Sequence, residues 1–180
     1  MTLGALPHMV EARTLAAREV TVEGTLQAAR MPRLDAAIVA AVAPARVHAQ
    51  FCRDEEGRYI LKLSVHMAVS VACQRCLGPL ELDLVSDSQL AALWTDEQAQ
   101  QLSSRYDPLI TGDETDLWQV VEDELLLALP AFSYHSDSQC GLATGVAQPD
   151  AAEPDETDAP ARDNPFTVLA ALKNEPSERS

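Results

Sequence analysis

Residues 61–72 alternate without a break: Leu61, Leu63, Val65, Met67, Val69 and Val71 are separated by Lys62, Ser64, His66, Ala68, Ser70 and Ala72. A period of two sends successive side chains to opposite faces of a strand, so this run predicts a long strand with one face on a core. The same register puts Cys73 on the apolar side. After a turn at Gly78-Pro79, Leu80, Leu82 and Leu84 alternate with Glu81 and Asp83, the pattern of an antiparallel return strand. Upstream, Val47, Ala49 and Phe51 lead into Asp54-Glu55-Glu56-Gly57, which reads as a hairpin turn. Val20, Val22 and Leu26 mark a weaker strand over 19–28.

Helical spacing occupies two stretches. Pro32 opens a run in which Leu34, Ala37, Ile38 and Ala41 share a stripe until Pro44, predicting a helix near 33–42. Leu117, Val120, Val121, Leu125 and Ala128 predict another near 114–129, with Asp113, Glu114 and Asp116 at its positive end and Pro130 stopping it. Leu126, Leu127 and Leu129 widen its apolar face, which implies deep packing. Within it, Glu122, Asp123 and Glu124 read either as a solvated face or as a docking surface. Residues 95–112 show no clear period and read as a looser connection. The whole predicts an α+β domain over 1–146. Its antiparallel sheet, from about residue 18 to 95, is one that could close into a barrel, packed with two or three helices.

From Ala147 the composition changes. Asp150, Glu153, Asp155, Glu156, Asp158 and Asp163 are offset only by Arg162, with Pro149, Pro154 and Pro160 interspersed. Such a stretch buries too little apolar surface to offset its ordering entropy, so 147–163 reads as a disordered acidic linker. Residues 164–180 then carry a short amphipathic motif and tail. Pro165, Phe166, Leu169 and Leu172 are its candidate partner-binding residues, since a ten-residue helix is marginal alone and a tether raises its effective concentration.

Charge narrows the choice of partner. The chain carries 13 Lys and Arg against 28 Asp and Glu, a formal charge of −15. That field repels phosphate backbones and attracts basic proteins. Any RNA contact must use a local basic patch, and Arg53, Arg58, Lys62 and Arg75 around the hairpin ends are the candidates. The first 20 residues hold no apolar signal-peptide core, and no run reaches the 18 or so apolar residues that span a bilayer. Four unevenly spaced cysteines do not resemble a secreted disulfide framework. The expectation is a cytoplasmic protein without a membrane partner. No Gly-rich phosphate loop, nucleophile elbow or carboxylate pair beside a base is present, so the chain reads as no enzyme, with no small-molecule substrate.

Cys73-Gln74-Arg75-Cys76 is the one motif with chemistry of its own. Two thiolates at this spacing can share a zinc ion if the turn aims backbone N–H groups at the sulfurs, and Gly78 offers the backbone freedom for such a turn. A redox pair would place its first cysteine at a helix N-terminus, whereas this motif ends a strand. Structural zinc takes four ligands, and His135 and Cys140, just after the second helix, are the next candidates. The alternative is that Cys73 and Cys76 are core or edge thiols and His135 a surface residue. Cys52 reads as a buried small hydrophobe near a hairpin, and His66 as solvent-facing. His8 and His48 have no neighbours that suggest a task.

Cys73-Gln74-Arg75-Cys76-Leu77-Gly78-Pro79, the run from Val121 to Pro130, the His135–Cys140 segment and the terminal Asn164-Pro165-Phe166 through Leu172-Lys173 resemble, in order and spacing, the YceD-like family of large ribosomal RNA subunit accumulation proteins. The resemblance implies a non-enzymatic role in large-subunit ribosomal RNA accumulation and ribosome assembly. It implies as partners large-subunit ribosomal RNA or a pre-ribosomal particle, or a basic ribosomal protein. Many members carry a second cysteine cluster after the acidic helix, consistent with a zinc site shared with the CxxC. Here that position holds His135 and Cys140, which leaves a Cys3His site and a lost metal both open. The alternative function is an acidic chaperone or interaction module for a basic ribosomal protein, with no direct RNA contact.

Overall fold

In chain order the computed structural model, which describes residues 4–136 and Cys140, runs β1 (Met9–Val10), α1 (Ala12–Ala17), β2 (Thr21–Leu26), a 3-10 turn (Ala28–Arg30), α2 (Pro32–Ala37), β3 (Ala40–Ala41), β4 (Ala45–Arg53), β5 (Tyr59–Ala72), β6 (Pro79–Leu93), α3 (Asp96–Gln100), β7 (Asp107–Ile110), β8 (Thr115–Asp116) and α4 (Leu117–Ala128). The alternating run becomes β5, at the centre of a six-stranded sheet ordered β2-β4-β5-β6-β7, with β3 also on β5. One edge of β5 pairs first with β4 and then, from Val69 to Ser70, with β3; its other edge pairs with β6 from Ile60 to Ala72. Leu61, Leu63, Val65, Met67, Val69 and Val71 are all buried, as their period requires. The fold is α+β, and the acidic linker 147–163 and terminal motif 164–180 lie outside the described residues.

Several details depart from expectation. The sheet is open, with β2 and β7 as its edges, and does not close into a barrel. It also runs beyond residue 95, because β7 joins β6 in parallel. A parallel neighbour needs a crossover of a dozen or more residues, and 94–106, containing α3, supplies it. Pro108 hides this strand in the sequence; an edge position tolerates the missing N–H. Among the described residues there are four α-helices rather than two or three, the extra ones being the short α1 and α3.

The helix expected over 33–42 stops at Ala37. Val39 N–H then donates to Ser70 O (2.8 Å) and Val42 N–H to Ala68 O (3.0 Å). β5 outruns β4, and its bare edge takes this segment as a strand, so tertiary pairing overrides the helical stripe. On α4, Asp116 is the N-cap and accepts from Gln119 N–H at 3.0 Å, while Thr115–Asp116 pairs with β1, so the helix begins at Leu117. Leu127 points away from the core and is 81% exposed, so α4 packs through a narrower face than its leucines suggest.

The acidic run on α4 is largely interior. Glu122 is 4% and Glu124 8% exposed. Glu122 accepts from the Arg33 and Leu34 N–H groups (2.6 and 3.1 Å) and from Arg33 Nε (3.0 Å), so one carboxylate closes the orphan donors at the start of α2. Asp123 completes the pairing at 2.7 Å from Arg33 Nη2. Ser86 donates to Glu124 at 2.6 Å, tying α4 to β6. Glu122 and Glu124 are therefore packing devices rather than parts of a solvated face, while Asp123 is half exposed and keeps the solvated position expected of some of the run.

The main core lies between the inner sheet face and α1, α2 and α4. A second, small cluster sits on the outer face, where Ile60, Ala91 and Tyr106 are buried with Cys52, Leu93 and Leu102 against them. Cys52 is therefore half-buried in this cluster rather than in the main core. At the chain start, Trp118 Nε1–H donates to Leu6 O (3.1 Å) and His8 stacks on the indole, which gives His8 a structural contact unseen in the sequence. No helix of the described residues is long and apolar enough to cross a membrane.

Residues 4–6 lie beside β2, where Gly24 leaves no room for a side chain: an added Cβ would meet Leu6 Cα at 2.8 Å and Leu6 N at 2.9 Å. Gly24→Ala is therefore expected to cost about 1–3 kcal/mol in urea unfolding. Gly112→Ala, whose Cβ meets nothing within 4 Å, should change stability by less than about 0.5 kcal/mol. In the β4–β5 hairpin, Asp54 accepts from Glu56 N–H, Arg58 N–H and Arg58 Nε. Burial pushes its carboxyl up, but these bonds outweigh burial and hold it below the ordinary value. A depressed carboxylate stabilises the fold above its unfolded value of about 4 and loses that contribution as pH falls through its folded value. The stability gap between the wild type and Asp54→Asn, measured by thermal unfolding, should be open at pH 7 and close in acid.

Candidate metal centre

Cys73 ends β5, and residues 74–78 fold back tightly into β6. Cys73 N–H donates to Gly78 O (2.9 Å) and Leu77 N–H to Cys73 O (2.8 Å). The left-handed residue of this turn is Leu77, with φ 60°, not Gly78. Holding a leucine there costs about 1–2 kcal/mol, and the two hydrogen bonds keep it in place. The turn aims the N–H groups of Arg75 and Cys76 at the Cys73 sulfur and that of Gly78 at the Cys76 sulfur.

The chain leaving α4 returns to this turn. Gln74 N–H donates to Ser133 O (2.9 Å) and Gln74 Nε2 to Ala131 O (3.2 Å). His135 N–H then lies 3.5 Å from Cys73 Sγ. As a result Cys73, Cys76, His135 and Cys140 converge, each offering one ligand atom, all within 4.8 Å of one another. Cys73 and Cys140 are buried; Cys76 and His135 are partly so.

The histidine is oriented for coordination. Its Nε2 is 2.9 Å from Pro79 O, and a carbonyl only accepts, so Nε2 carries a hydrogen. Nδ1 turns inward, 3.3 Å from Cys76 Sγ. This is the outer hydrogen bond that fixes the ring of a metal-ligating histidine. In a tetrahedron with Zn–S of about 2.3 Å and Zn–N of about 2.0 Å, sulfur and nitrogen lie about 3.5 Å apart.

Electrostatics favour the thiolate form. Burial pushes the Cys73 thiol up, but the N–H groups of Cys76, His135 and Arg75 outweigh it and bring it down to about 5. Cys76 is lowered too, chiefly by the Gly78 N–H. His135 is raised, chiefly by its bond to the Pro79 carbonyl. Thiolate is the form that binds a metal. The Cys76–His135 pair alone would also suit an activated nucleophile. Cys73 and Cys140 complete a four-donor set that a nucleophile does not need, and that zinc's Cys3His class does. The residues present therefore fit a structural zinc ion. Gln74 and the Pro79 carbonyl, which hold the set together, left no signal in the sequence, because their roles arise from backbone geometry.

The other sequence-predicted residues divide. Arg53, Arg58 and Lys62 lie together at the hairpin end of β5. Arg75 sits at the opposite, CxxC end, with its guanidinium 5.7 Å from the centre of the Tyr134 ring. A strand of 14 residues, roughly 45 Å, separates the two ends. Pro165, Phe166, Leu169 and Leu172 lie outside the described residues. His48 pairs with Glu23 and His66 with Asp83 on the polar sheet face.

An open antiparallel-rich sheet bearing a four-donor turn, with a helix whose following segment closes the donor set, is the arrangement found here, and residues 61–173 match the family model described as large ribosomal RNA subunit accumulation protein YceD. The chain belongs to the YceD family. Among its relatives, the protein of Haemophilus influenzae named large ribosomal RNA subunit accumulation protein YceD is 31% identical over 175 residues, covering 93% of this chain and 96% of that protein. No solved structure matches the chain.

Metal content checks the ligand set. Purified protein is expected to hold about one zinc per chain by mass spectrometry of the metal. Cys73→Ser and Cys140→Ser should each lose most of it, and Cys52→Ser should keep it. Full stoichiometry in both of the first two variants would remove this ligand set.

Proposed function

We propose that this chain is a non-enzymatic factor for the accumulation of large-subunit ribosomal RNA, working in ribosome assembly in the cytoplasm. The observation that carries the reading is the family match over 61–173, which spans the CxxC turn, α4, the His135–Cys140 segment and the terminal motif. On this reading the protein binds a pre-ribosomal particle, its RNA or a ribosomal protein, and catalyses no reaction. Zinc, held by Cys73, Cys76, His135 and Cys140, serves to staple the segment after α4 onto the sheet. That keeps the CxxC end of the sheet rigid, where Leu77, Phe132 and Tyr134 stand exposed.

A second reading, an acidic chaperone for a basic ribosomal protein with no RNA contact, is favoured by the charge of −15. Affinity purification at moderate salt, with and without nuclease, separates the two. Recovery of large-subunit ribosomal RNA that disappears with nuclease supports the particle-binding reading. A single basic protein retained after digestion supports the chaperone. Removing the gene should lower large-subunit relative to small-subunit RNA. An unchanged ratio sinks the proposal.

A further inference from the structure

At the hairpin end of β5, Arg53, Arg58, Lys62 and Arg105 line one depression of about 190 Å³. In a chain with 13 Lys and Arg against 28 Asp and Glu, four cations around one depression run against the overall field. Three carboxylates share the rim, Asp54, Glu55 and Glu56. Two of them are already committed: Asp54 and Glu56 pair with Arg58 at 2.6 and 2.9 Å. Among the described residues, Arg53, Lys62 and Arg105 form no ion pair with a carboxylate.

The three guanidiniums are held in place. Arg53 lies over the Tyr59 ring, 4.8 Å from its centre, and donates to the Tyr59 hydroxyl at 3.3 Å. Arg58 and Arg105 lie 5.1 and 5.4 Å from the centre of the Tyr106 ring. Tyr106 is 7% exposed and packs with Ile60 and Ala91, so it is a fixed platform for guanidiniums and not a stacking face for a ligand. A guanidinium resting on a ring keeps its in-plane N–H donors free, in the fork geometry that matches phosphate oxygens. Ordering it beforehand lowers the entropic cost of binding. Lys62 also lines the neighbouring depression with His48, Gln50, Ser64, Gln89 and one carboxylate, Asp87, so the site opens along the polar sheet face instead of closing round a small ion.

We infer that this depression binds the phosphates of a single-stranded RNA segment, with Arg53, Lys62 and Arg105 as the contacting cations and Arg58 as a positioning residue. The inference rests on the reading that the chain works on large-subunit RNA, and it assigns the RNA contact to the hairpin end, away from Arg75. Arg105 joins the site only through the parallel crossover that delivers residues 101–106 to the hairpin.

The test is fluorescence anisotropy of the full chain with a labelled single-stranded oligoribonucleotide over a range of KCl concentrations. Three phosphate contacts predict a slope of log K against log salt of about −2. Arg53→Ala, Lys62→Ala and Arg105→Ala should each weaken binding several-fold and flatten the slope by about 0.7. Arg75→Ala should leave both unchanged, and matched thermal unfolding shows that the variants are folded. Inorganic phosphate at equal ionic strength should not displace the RNA. Displacement by phosphate, equal competition by polyglutamate, or an unaltered slope in the triple variant overturns the site. If the triple variant still recovers large-subunit RNA from cells, this site fails while the proposed function stands. If RNA binds in vitro but gene removal leaves the subunit RNA ratio unchanged, the functional reading fails instead.

Discussion

The alternate apolar positions of β5 from Leu61 to Val71 all face the main core, and that single constraint organises the rest of the molecule. A 14-residue strand with its whole inner face buried must be covered along its full length and paired on both edges. β6 pairs one edge almost end to end. β4 is shorter, so the chain after α2 straightens into β3 to satisfy the remainder. α1 and α4 both pack on the core face of the sheet, with α2 against α4. The two ends of β5 are then held roughly 45 Å apart, and each carries a different kind of chemistry.

The acidic residues inside this frame show how an acidic chain keeps carboxylates in its interior. A buried charge is tolerated only when it is paired and hydrogen-bonded. Glu122 meets that condition by accepting from the first turn of α2 and from Arg33, so its burial couples α4 to α2. Glu124 is in no ion pair among the described residues; it accepts from the Ser86 hydroxyl, which ties α4 to β6. The helix that looks like an acidic surface in one dimension is the clamp joining two layers.

The CxxC end and the hairpin end follow different logic. At the first, three thiols and an imidazole gather where backbone N–H groups stabilise negative sulfur, an environment suited to a soft divalent cation. At the second, guanidiniums are stacked on tyrosine rings and partly relieved of carboxylates, an environment suited to an anion. One rigid strand keeps these environments from neutralising one another.

Periodicity alone determined β5, β6, the Asp54–Gly57 turn and the core stripe of α4, because burial of one face leaves a direct imprint on residue order. The zinc-type donors were legible as a CxxC with a remote His/Cys pair, since thiolate and imidazole chemistry restricts residue type. Tertiary structure decided what has no such imprint. Residues 39–42 became extended because β5 offered an unpaired edge, and Pro108 entered a strand because that strand is an edge. Ile60, on the polar side of β5, was buried because the crossover laid Tyr106 over it. Glu122 and Glu124 went inside because donors from α2 and β6 came to meet them, and Arg105 joined Arg53 and Lys62 only through that same crossover. Local pattern reports which face a residue prefers; only the assembled chain reports what stands opposite it.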